Sequence, residues 1–219
     1  MKKMQKFSHY LLGLPKTIIF NFKYLPFKDA IKLPVLVSHH VWLKKLSGNV
    51  KICDIRTGVI KIGFGNIGIF DPYTSRTIWN VTGYVEFKGR AFIGHGSKIS
   101  IDGSLILGKD FCINAESSIV SQENITIGDN VLISWDSLIM DTDFHDIYDH
   151  NGHQTNKPLP VIIGNKVWIG CRTLILKGVH IADGVVVAAA STVTKSIGVS
   201  NSIAGGSPAK ILKENIEWK

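Results

Sequence analysis

The stretch IGNKVWIGCRTLILKGVHIADGVVVAAASTV (residues 163–193) carries an aliphatic residue at every sixth position. A period of six fits neither a helix, which repeats every 3.6 residues, nor one long strand, which alternates every two. It predicts a solenoid whose coil has three short flat sides, with the aliphatic side chains inside and small residues near the corners. The aliphatic positions are Ile163, Ile169, Ile175, Ile181, Val187 and Val193, and those four places after the first five are Val167, Thr173, Val179, Val185 and Ser191.

The same spacing occurs earlier in the chain, at Leu107, Ile113 and Ile119 and again at Ile127, Ile133 and Ile139. It stops at Ile139 and resumes at Ile163. The intervening residues 141–160 (DTDFHDIYDHNGHQTNKPLP) are polar and rich in His and Asp. They predict an excursion loop on one coil, and a long loop on a rigid scaffold usually carries function.

The segments on either side of the repeat are different in character. Residues 1–60 do not repeat and predict an N-terminal cap with one or two amphipathic helices, ahead of a β-helix over 61–204. Residues 205–219 leave the repeat through Gly205, Gly206 and Pro208, and predict a turn followed by a short helix over Ile211–Trp218. The predicted fold class is therefore all-β, a parallel β-helix with a cap at its N-terminal end.

The charge of the chain is concentrated near its start. The 219 residues carry a net charge of +8, and the first 61 hold twelve Lys and Arg against Asp29 and Asp54. This excess indicates an acidic partner such as a membrane surface or an anionic polymer, unless it is simply a solvated face. Three cysteines without a CxxC pair favour a reducing cytoplasm and give no zinc motif, and no apolar run is long enough to span a membrane.

Five motifs resemble the hexapeptide-repeat acyltransferase superfamily, in particular its O-acetyltransferase branch with the maltose, galactoside, streptogramin and capsular-polysaccharide enzymes. They are IGDNVLIS (127–134), MDTDFH (140–145), IGNKVWIG (163–170), AAASTVTK (188–195) and AGGSPAKIL (204–212). The resemblance implies a left-handed coil, acetyl-CoA as donor, no metal, and a homotrimer with each active site between two subunits. Residues 14–38 are similar to the extension of members that act in envelope or capsule biosynthesis.

His145 is the candidate catalytic base, because it stands where the MDTDFH motif of the family has its catalytic histidine. An imidazole suits this role because its ordinary pKa lies near neutrality. Asp143 is two residues earlier, on the same side of an extended segment, and can orient the imidazole or bind the acceptor. A turn-forming role is the alternative for Asp143. His150 and His153 in the same loop are assigned no definite role.

The resemblance also places the acetyl-CoA contacts. A backbone N–H near Gly170 and Cys171 is expected to face the thioester carbonyl, and Trp168 to flank the groove. Small side chains admit the pantetheine arm, lysines meet phosphate charge, and a C-terminal turn closes over that end. These cofactor-binding candidates are Ala189, Ala190, Thr194, Lys195, Gly206, Pro208, Ala209 and Lys210. The alternatives are that Ala189 and Ala190 are ordinary turns of the repeat, and that the residues of GGSPAK only cap the predicted C-terminal helix.

The expected acceptor is a sugar hydroxyl of an envelope or capsular glycan or its precursor, with serine or an antibiotic as the alternatives. The basic N terminus is expected to allow peripheral contact with the membrane from the cytoplasmic side, and no nucleic-acid partner is expected. Two other functions remain open. One is a γ-type carbonic anhydrase, although no histidine stands one or two coils of three hexapeptides before His145 to complete a zinc site. The other is a non-catalytic β-helix scaffold.

Overall fold

The computed structural model describes residues 2–71 and 74–219, and for residues 2–8 it describes the helical backbone alone. The elements in chain order are α1 (Lys2–Tyr24), α2 (Phe27–Ala30), β1 (Val35–Val37), β2 (Trp42–Leu46), β3 (Asn49–Ile52), β4 (Ile60–Phe64), β5 (Ile78–Val81), β6 (Tyr84–Phe87), β7 (Ala91–Gly94), β8 (Lys98–Ile101), β9 (Ser104–Leu107), β10 (Phe111–Ile113), β11 (Ser118–Ser121), β12 (Asn124–Ile127), β13 (Leu132–Ile133), β14 (Leu138–Met140), β15 (Val161–Ile163), β16 (Trp168–Ile169), β17 (Leu174–Ile175), β18 (His180–Ile181), β19 (Val186–Val187), β20 (Thr192–Val193), β21 (Ile203–Gly206) and β22 (Ala209–Lys213).

The strands form a three-sided prism. Each face is a sheet of parallel strands, apart from the last strand β22, and from β1 to β20 successive strands move from one face to the next. The first face contains β1, β4, β7, β10, β13, β16, β19, β21 and β22; the second contains β2, β5, β8, β11, β14, β17 and β20; the third contains β3, β6, β9, β12, β15 and β18. We call the turns from the first to the second face corner 1, those from the second to the third corner 2, and those from the third back to the first corner 3.

Strand pairing gives the length of each coil. Ile169 pairs with Val187, so the later coils consist of three hexapeptides. Ile93 pairs with Ile113, and Ile113 with Ile133, so the earlier coils are slightly longer than that. Ile127 pairs with Ile163, twice as far along the chain as in the later coils, because the excursion loop 141–160 lies between them at corner 2. Counting back from His145 in steps of three hexapeptides therefore does not find its neighbours in the earlier coils.

The interior of the prism is a stack of aliphatic side chains. Successive coils place Ile93, Ile113, Ile133, Ile169 and Val187 above one another, and all five are fully buried. Parallel strands about 4.8 Å apart bring these side chains into direct contact, so each coil buries its apolar row against its neighbours. This core holds the corners in fixed positions, and the candidate functional residues lie at those corners.

Helix α1 closes the N-terminal end of the prism, which confirms the predicted helical cap. It lies along the open edge of β1 and supplies the hydrogen bonds that another strand would make. Asn21 Nδ2 donates to Val35 O (2.7 Å), Val35 N donates to Asn21 Oδ1 (3.1 Å), and Val37 N donates to Thr17 Oγ1 (2.9 Å). Phe20 is fully buried and packs edge-on against Trp79, with ring centroids 5.1 Å apart. None of the helices in the described part of the chain is both long enough and apolar enough to cross a membrane.

The Asn21→Ala substitution should lower the free energy of unfolding by about 2 kcal/mol or more, because it leaves the buried N–H and C=O of Val35 without partners. Chemical denaturation measures the change. Asn151→Ala, at an exposed loop tip, is the matched control. This control should change the free energy of unfolding by less than about 0.5 kcal/mol. Equal stability of both variants would contradict the role of α1 as a substitute strand.

The prism begins earlier than the repeat predicted. The first coil is formed by β1, β2 and β3, so it starts at Val35, inside the segment 1–60 that was predicted to be a cap. The six-residue spacing is absent there because the first coils are interrupted. Val37 pairs with Ile62, and Ile62 pairs with Ile93, and both steps are longer than three hexapeptides.

The predicted C-terminal helix over Ile211–Trp218 is wrong. After Gly206 the chain turns back as β22, which pairs antiparallel with β21, Gly205 opposite Lys210. The outer edge of β21 offers unpaired backbone groups at the end of the first face, and β22 satisfies them, whereas a helix would leave them open. The last residues then fold onto the first face, where Trp218 Nε1 donates to Lys166 O (2.8 Å).

Candidate functional site

Both ends of the excursion loop are fixed by Asp141. Its side chain is fully buried and accepts hydrogen bonds from Gln122 N (2.7 Å), Glu123 N (3.0 Å) and Ser121 Oγ (2.7 Å) of the preceding coil. Its carbonyl oxygen accepts from Leu159 N (3.0 Å), where the loop returns to the prism. The loop is therefore attached to the rigid core at its base.

His145 lies on a tight turn just beyond this attachment. The buried Thr142 accepts a hydrogen bond from Phe144 N (3.0 Å), Phe144 takes the left-handed conformation (φ 63°), and His145 N donates to Asp143 O (2.8 Å). Asn156 Nδ2 donates to His145 O (2.8 Å) from the other side of the loop. The backbone of His145 is thus held, while its imidazole is exposed and makes no hydrogen bond to the described residues.

The carboxylate of Asp143 is bonded to Lys177 and Asn156. It accepts hydrogen bonds from Lys177 Nζ and from Asn156 Nδ2 (3.0 Å), and Lys177 also donates to Asn156 O (2.7 Å). The Lys177 ammonium holds the pKa of Asp143 below its usual value, with a smaller contribution from Asn156. Asp143 therefore ties the loop to the next coil, and no hydrogen bond joins its carboxylate to the His145 ring within the described residues.

Sequence reasoning missed Lys177 and Asn156 because neither belongs to a motif. Lys177 lies at corner 2 on the coil after the loop, and Asn156 lies on the returning segment of the loop. They meet Asp143 through coil stacking, which brings together residues 34 and 13 positions apart. Of the other loop histidines, His153 faces Asp149 (Nδ1 to Oδ2 3.4 Å) at an exposed turn. His150 is exposed.

Corner 1 contains the turn Gly170–Cys171. Gly170 N donates to Val187 O (2.8 Å), and its carbonyl accepts from Ser137 Oγ (3.1 Å) and Thr173 Oγ1 (2.8 Å). The Gly170 N–H is thus used by the fold, whereas the Cys171 N–H has no acceptor among the described residues. A Cβ atom on Gly170 would lie 2.6 Å from Ala189 N, so only glycine fits beneath the next coil.

The next coil presents a row of small side chains at the same corner. Ala189 and Ala190 are exposed, and Ala190 N donates to Cys171 O (2.8 Å). The hairpin of β21 and β22 lies beside them, since Gly206 N donates to Ser191 Oγ (3.2 Å). The hairpin carries the remaining predicted residues of this corner, Gly206, Pro208, Ala209 and Lys210.

Trp168 lies on the first face, next to corner 1. Its Nε1 donates to Ser134 Oγ (3.1 Å), and its ring centroid is 6.1 Å from that of Trp218 in the C-terminal tail. The side chain keeps 38% of its surface exposed, so packing against the tail covers it only in part.

The structure separates the predicted site into two groups. Gly170, Cys171, Ala189, Ala190 and the hairpin are at corner 1. The loop with His145 and Asp143 is at corner 2. Thr194 and Lys195 are also at corner 2, because they follow β20 and precede Ile197, which pairs with Ile181 on the third face. No set of three or more His, Cys, Asp or Glu side chains within residues 2–71 and 74–219 is arranged to hold a metal ion.

Comparisons with known proteins match this architecture. The family model for the bacterial transferase hexapeptide (six repeats) matches residues 160–195. The chain is 36% identical to the galactoside O-acetyltransferase of Escherichia coli K12 over 126 residues, and 36% identical to the polysialic acid O-acetyltransferase of E. coli O1:K1 over 135 residues. These matches cover 56% and 61% of the chain but only 57% and 42% of the two relatives, so the chain spans about half of their length.

Two further relatives cover more of the chain. An uncharacterized 24.8 kDa protein in the cps region of Klebsiella pneumoniae is 31% identical over 199 residues, which is 90% of the chain and 87% of the relative. The crystal structure of the polySia-specific acetyltransferase NeuO has a TM-score of 0.62 at 28% identity, covering 79% of the chain and 76% of that structure. The fold is that of the left-handed parallel β-helix proteins. The chain belongs to the hexapeptide-repeat acyltransferase superfamily.

Proposed function

We propose that the protein is an acetyl-CoA-dependent O-acetyltransferase that acts on a sugar hydroxyl of a cell-envelope or capsular glycan or its precursor. The observation that carries the proposal is the exposed imidazole of His145 on a loop whose backbone is fixed by Thr142, Asn156 and Asp143. A base that must meet two substrates needs this combination of a free ring and a held backbone.

The reaction is a direct transfer. The imidazole of His145 removes the hydroxyl proton as the acceptor oxygen attacks the thioester carbonyl of acetyl-CoA. The carbonyl oxygen gains negative charge, and a backbone donor stabilises it. Collapse of this intermediate breaks the carbon–sulfur bond, and the imidazolium returns its proton to the CoA sulfur. The available N–H of Cys171 is the candidate oxyanion donor, because the N–H of Gly170 is bonded to Val187.

Corner 1 would hold acetyl-CoA. The small side chains of Ala189 and Ala190 leave room for an extended arm close to the backbone. Lys210 on the hairpin would supply positive charge for the phosphates, with Gly206 and Pro208 at the adjoining turn. Thr194 and Lys195 would contribute from corner 2.

The separation of the two groups supports a homotrimer with shared sites. Corner 1 and corner 2 lie at the two opposite edges of the second face, one where its strands begin and the other where they end. One subunit therefore does not bring its own His145 to its own Cys171. Parallel prisms side by side would place corner 2 of one subunit against corner 1 of its neighbour. Cyclic symmetry then repeats the same complete site at each interface.

The acceptor side of the site favours a glycan over serine or an antibiotic. The loop exposes Phe144 (56%), Ile147 (57%) and Tyr148 (59%) near His145. Exposed aromatic rings offer apolar faces on which sugar rings can stack, and Tyr148 adds a hydroxyl for hydrogen bonding. The curated relatives named for galactoside and polysialic acid acetylation agree with this substrate class. Cytoplasmic acetyl-CoA would be the donor.

Acceptor-dependent CoA release tests the proposal. Purified protein is mixed with acetyl-CoA and a panel of oligosaccharides, serine and hydroxylated antibiotics, and free thiol is followed. Release of CoA with a saccharide supports the proposal. Release with serine alone or with an antibiotic alone would show that the acceptor is not a glycan. Protein that binds no CoA would favour a scaffold, and zinc-dependent hydration of carbon dioxide would favour the carbonic anhydrase.

The Lys177→Met substitution should lower kcat by about tenfold with little change in the KM for acetyl-CoA, because it removes the contact that fixes Asp143 and the loop without touching corner 1. Steady-state kinetics with each substrate varied in turn measure the effect. Lys157→Met, an exposed lysine in the same loop, is the matched control and should behave as the unaltered enzyme. Equal kinetics of the two variants would show that Lys177 does not position the loop for catalysis.

A further inference from the structure

The side of α1 that faces away from the prism is unusually apolar. One side of the helix, with Gly13, Thr17, Phe20 and Asn21, packs against the end of the prism. The opposite side should be charged if it faced water alone. Instead, the helical spacing brings a row of exposed aliphatic and aromatic side chains to it: Leu11 (54%), Leu12 (60%), Ile18 (43%), Ile19 (54%) and Phe22 (44%).

The same surface continues onto α2. Phe27 is 72% exposed and Ile31 is 55% exposed, and the rings of Phe22 and Phe27 are 5.8 Å apart between centroids. We call this set of seven residues the end surface. Seven large apolar side chains exposed next to one another mark an interaction site on a folded protein.

The charge around the end surface has one sign. Residues 1–28 contain six lysines and no Asp or Glu, and Asp29 is paired with Lys32 (3.1 Å). Lys23 and Lys28 stand at the margin of the end surface and make no ion pair within the described residues. The ammonium of Lys16 is not free to meet an anionic partner, because it donates hydrogen bonds to the carbonyls of His39 and Val41 (2.6 Å each).

We propose that the end surface docks onto an anionic lipid bilayer, with α1 lying flat at the headgroup level. Apolar side chains inserted below basic side chains are the pattern of helices that lie in a membrane interface. Anionic headgroups complement the lysines, whereas a second copy of this surface would bring like charges together. The side of α1 that faces the prism stays hydrogen-bonded to β1. The opposite side can therefore contact the membrane while the helix remains packed on the prism.

The orientation of the end surface suits the proposed trimer. Because α1 lies across the end of the prism, its outward side points along the prism axis and away from the faces where parallel subunits would meet. Three end surfaces would then lie at one end of the assembly and bind one membrane together, which multiplies weak single contacts. This last step rests on the proposed homotrimer, but the docking of one end surface does not.

Vesicle flotation of the full-length protein tests the proposal. Binding is expected to vesicles of phosphatidylcholine with roughly one third phosphatidylglycerol, and to weaken at high salt or with phosphatidylcholine alone. Leu11→Ser/Ile18→Ser should reduce the partition coefficient by at least about tenfold, because it removes two inserted apolar side chains. Lys23→Gln/Lys28→Gln should reduce it by about fivefold per lysine and flatten its salt dependence.

The matched control is Ile162→Ser/Val199→Ser, which removes side chains of similar exposure (43% and 38%) on the later coils, several coils away from α1, and should bind as the unaltered protein. All variants are checked for unchanged mass by light scattering and for unchanged CoA release without vesicles, so that loss of docking is distinguished from loss of folding or activity. Equal binding by all variants, or the absence of binding to anionic vesicles, would overturn the proposal. Higher-order association of the unaltered protein that only Leu11→Ser/Ile18→Ser abolishes would assign the surface to a second copy instead.

Discussion

Replacing His145 with alanine is expected to lower kcat for acetyl transfer by about 10² to 10⁴-fold. The imidazole is the exposed basic group on the fixed turn of the loop, and without it the attacking hydroxyl keeps its proton until late in the reaction. The KM for acetyl-CoA should change little, because the residues proposed to bind the donor lie mainly at corner 1 while His145 lies at corner 2. Steady-state CoA release, with whichever acceptor of the proposed panel supports turnover, measures both constants.

The control for this experiment is His150→Ala in the same loop. His150 is also exposed, but it lies on the outer turn of the loop, beyond the contacts that fix His145. It should retain activity within about twofold, since it has no assigned proton-transfer role. A His145→Ala enzyme that keeps normal kcat would show that His145 is not the base. A large loss of kcat in His150→Ala would indicate that the reaction takes place at the outer part of the loop.

The central part of the fold could be predicted from sequence because its cause is local. An aliphatic residue every sixth position is required wherever a coil has three equal sides, and Ile163 to Val193 satisfy this without interruption. The first coils do not, since they carry extra residues between Val37, Ile62 and Ile93. Their aliphatic side chains are equally buried, but their spacing carries no period that could reveal them.

The two ends of the chain depend on contacts that no local pattern encodes. The residues after Gly206 form a strand because β21 has an open edge beside them, and that edge exists only once the prism has formed. In the same way, Asn21 stands in an ordinary helical sequence, and its importance comes from the open edge of β1. Lys177 is a further example of a contact that no local pattern encodes. Its partner Asp143 is 34 residues away in sequence, and the stacking of two coils brings the two side chains together.

The motifs identified the candidate residues as neighbours in sequence but could not place them in space. MDTDFH and IGNKVWIG lie on adjacent coils, yet the first leads into corner 2 and the second into corner 1. The period of six specifies that each motif ends at a corner without stating which one. Only the strand pairing shows that the proposed base and the proposed thioester site of one subunit are apart.

Mixing two inactive variants is expected to restore activity if each site is shared between subunits. His145→Ala removes the base at corner 2, and Ala189→Trp should block the donor groove at corner 1, where the exposed Ala189 leaves room for the larger side chain without disturbing the core. Each variant alone should show almost no CoA release. In a trimer that contains both, an interface between an intact corner 2 and an intact corner 1 forms a complete site.

The recovered activity has a definite expected size. When equal amounts are unfolded and refolded together, half of the subunits keep His145 and half keep the open groove. Random assembly in a cyclic trimer then makes about one quarter of the interfaces complete, so activity should return to about one quarter of the unaltered level. Variants mixed without refolding are the control and should stay inactive unless subunits exchange. Refolded mixtures that remain inactive while containing mixed trimers by native mass spectrometry would show that each subunit completes its own site, and the trimeric arrangement proposed from the two corners would have to be abandoned.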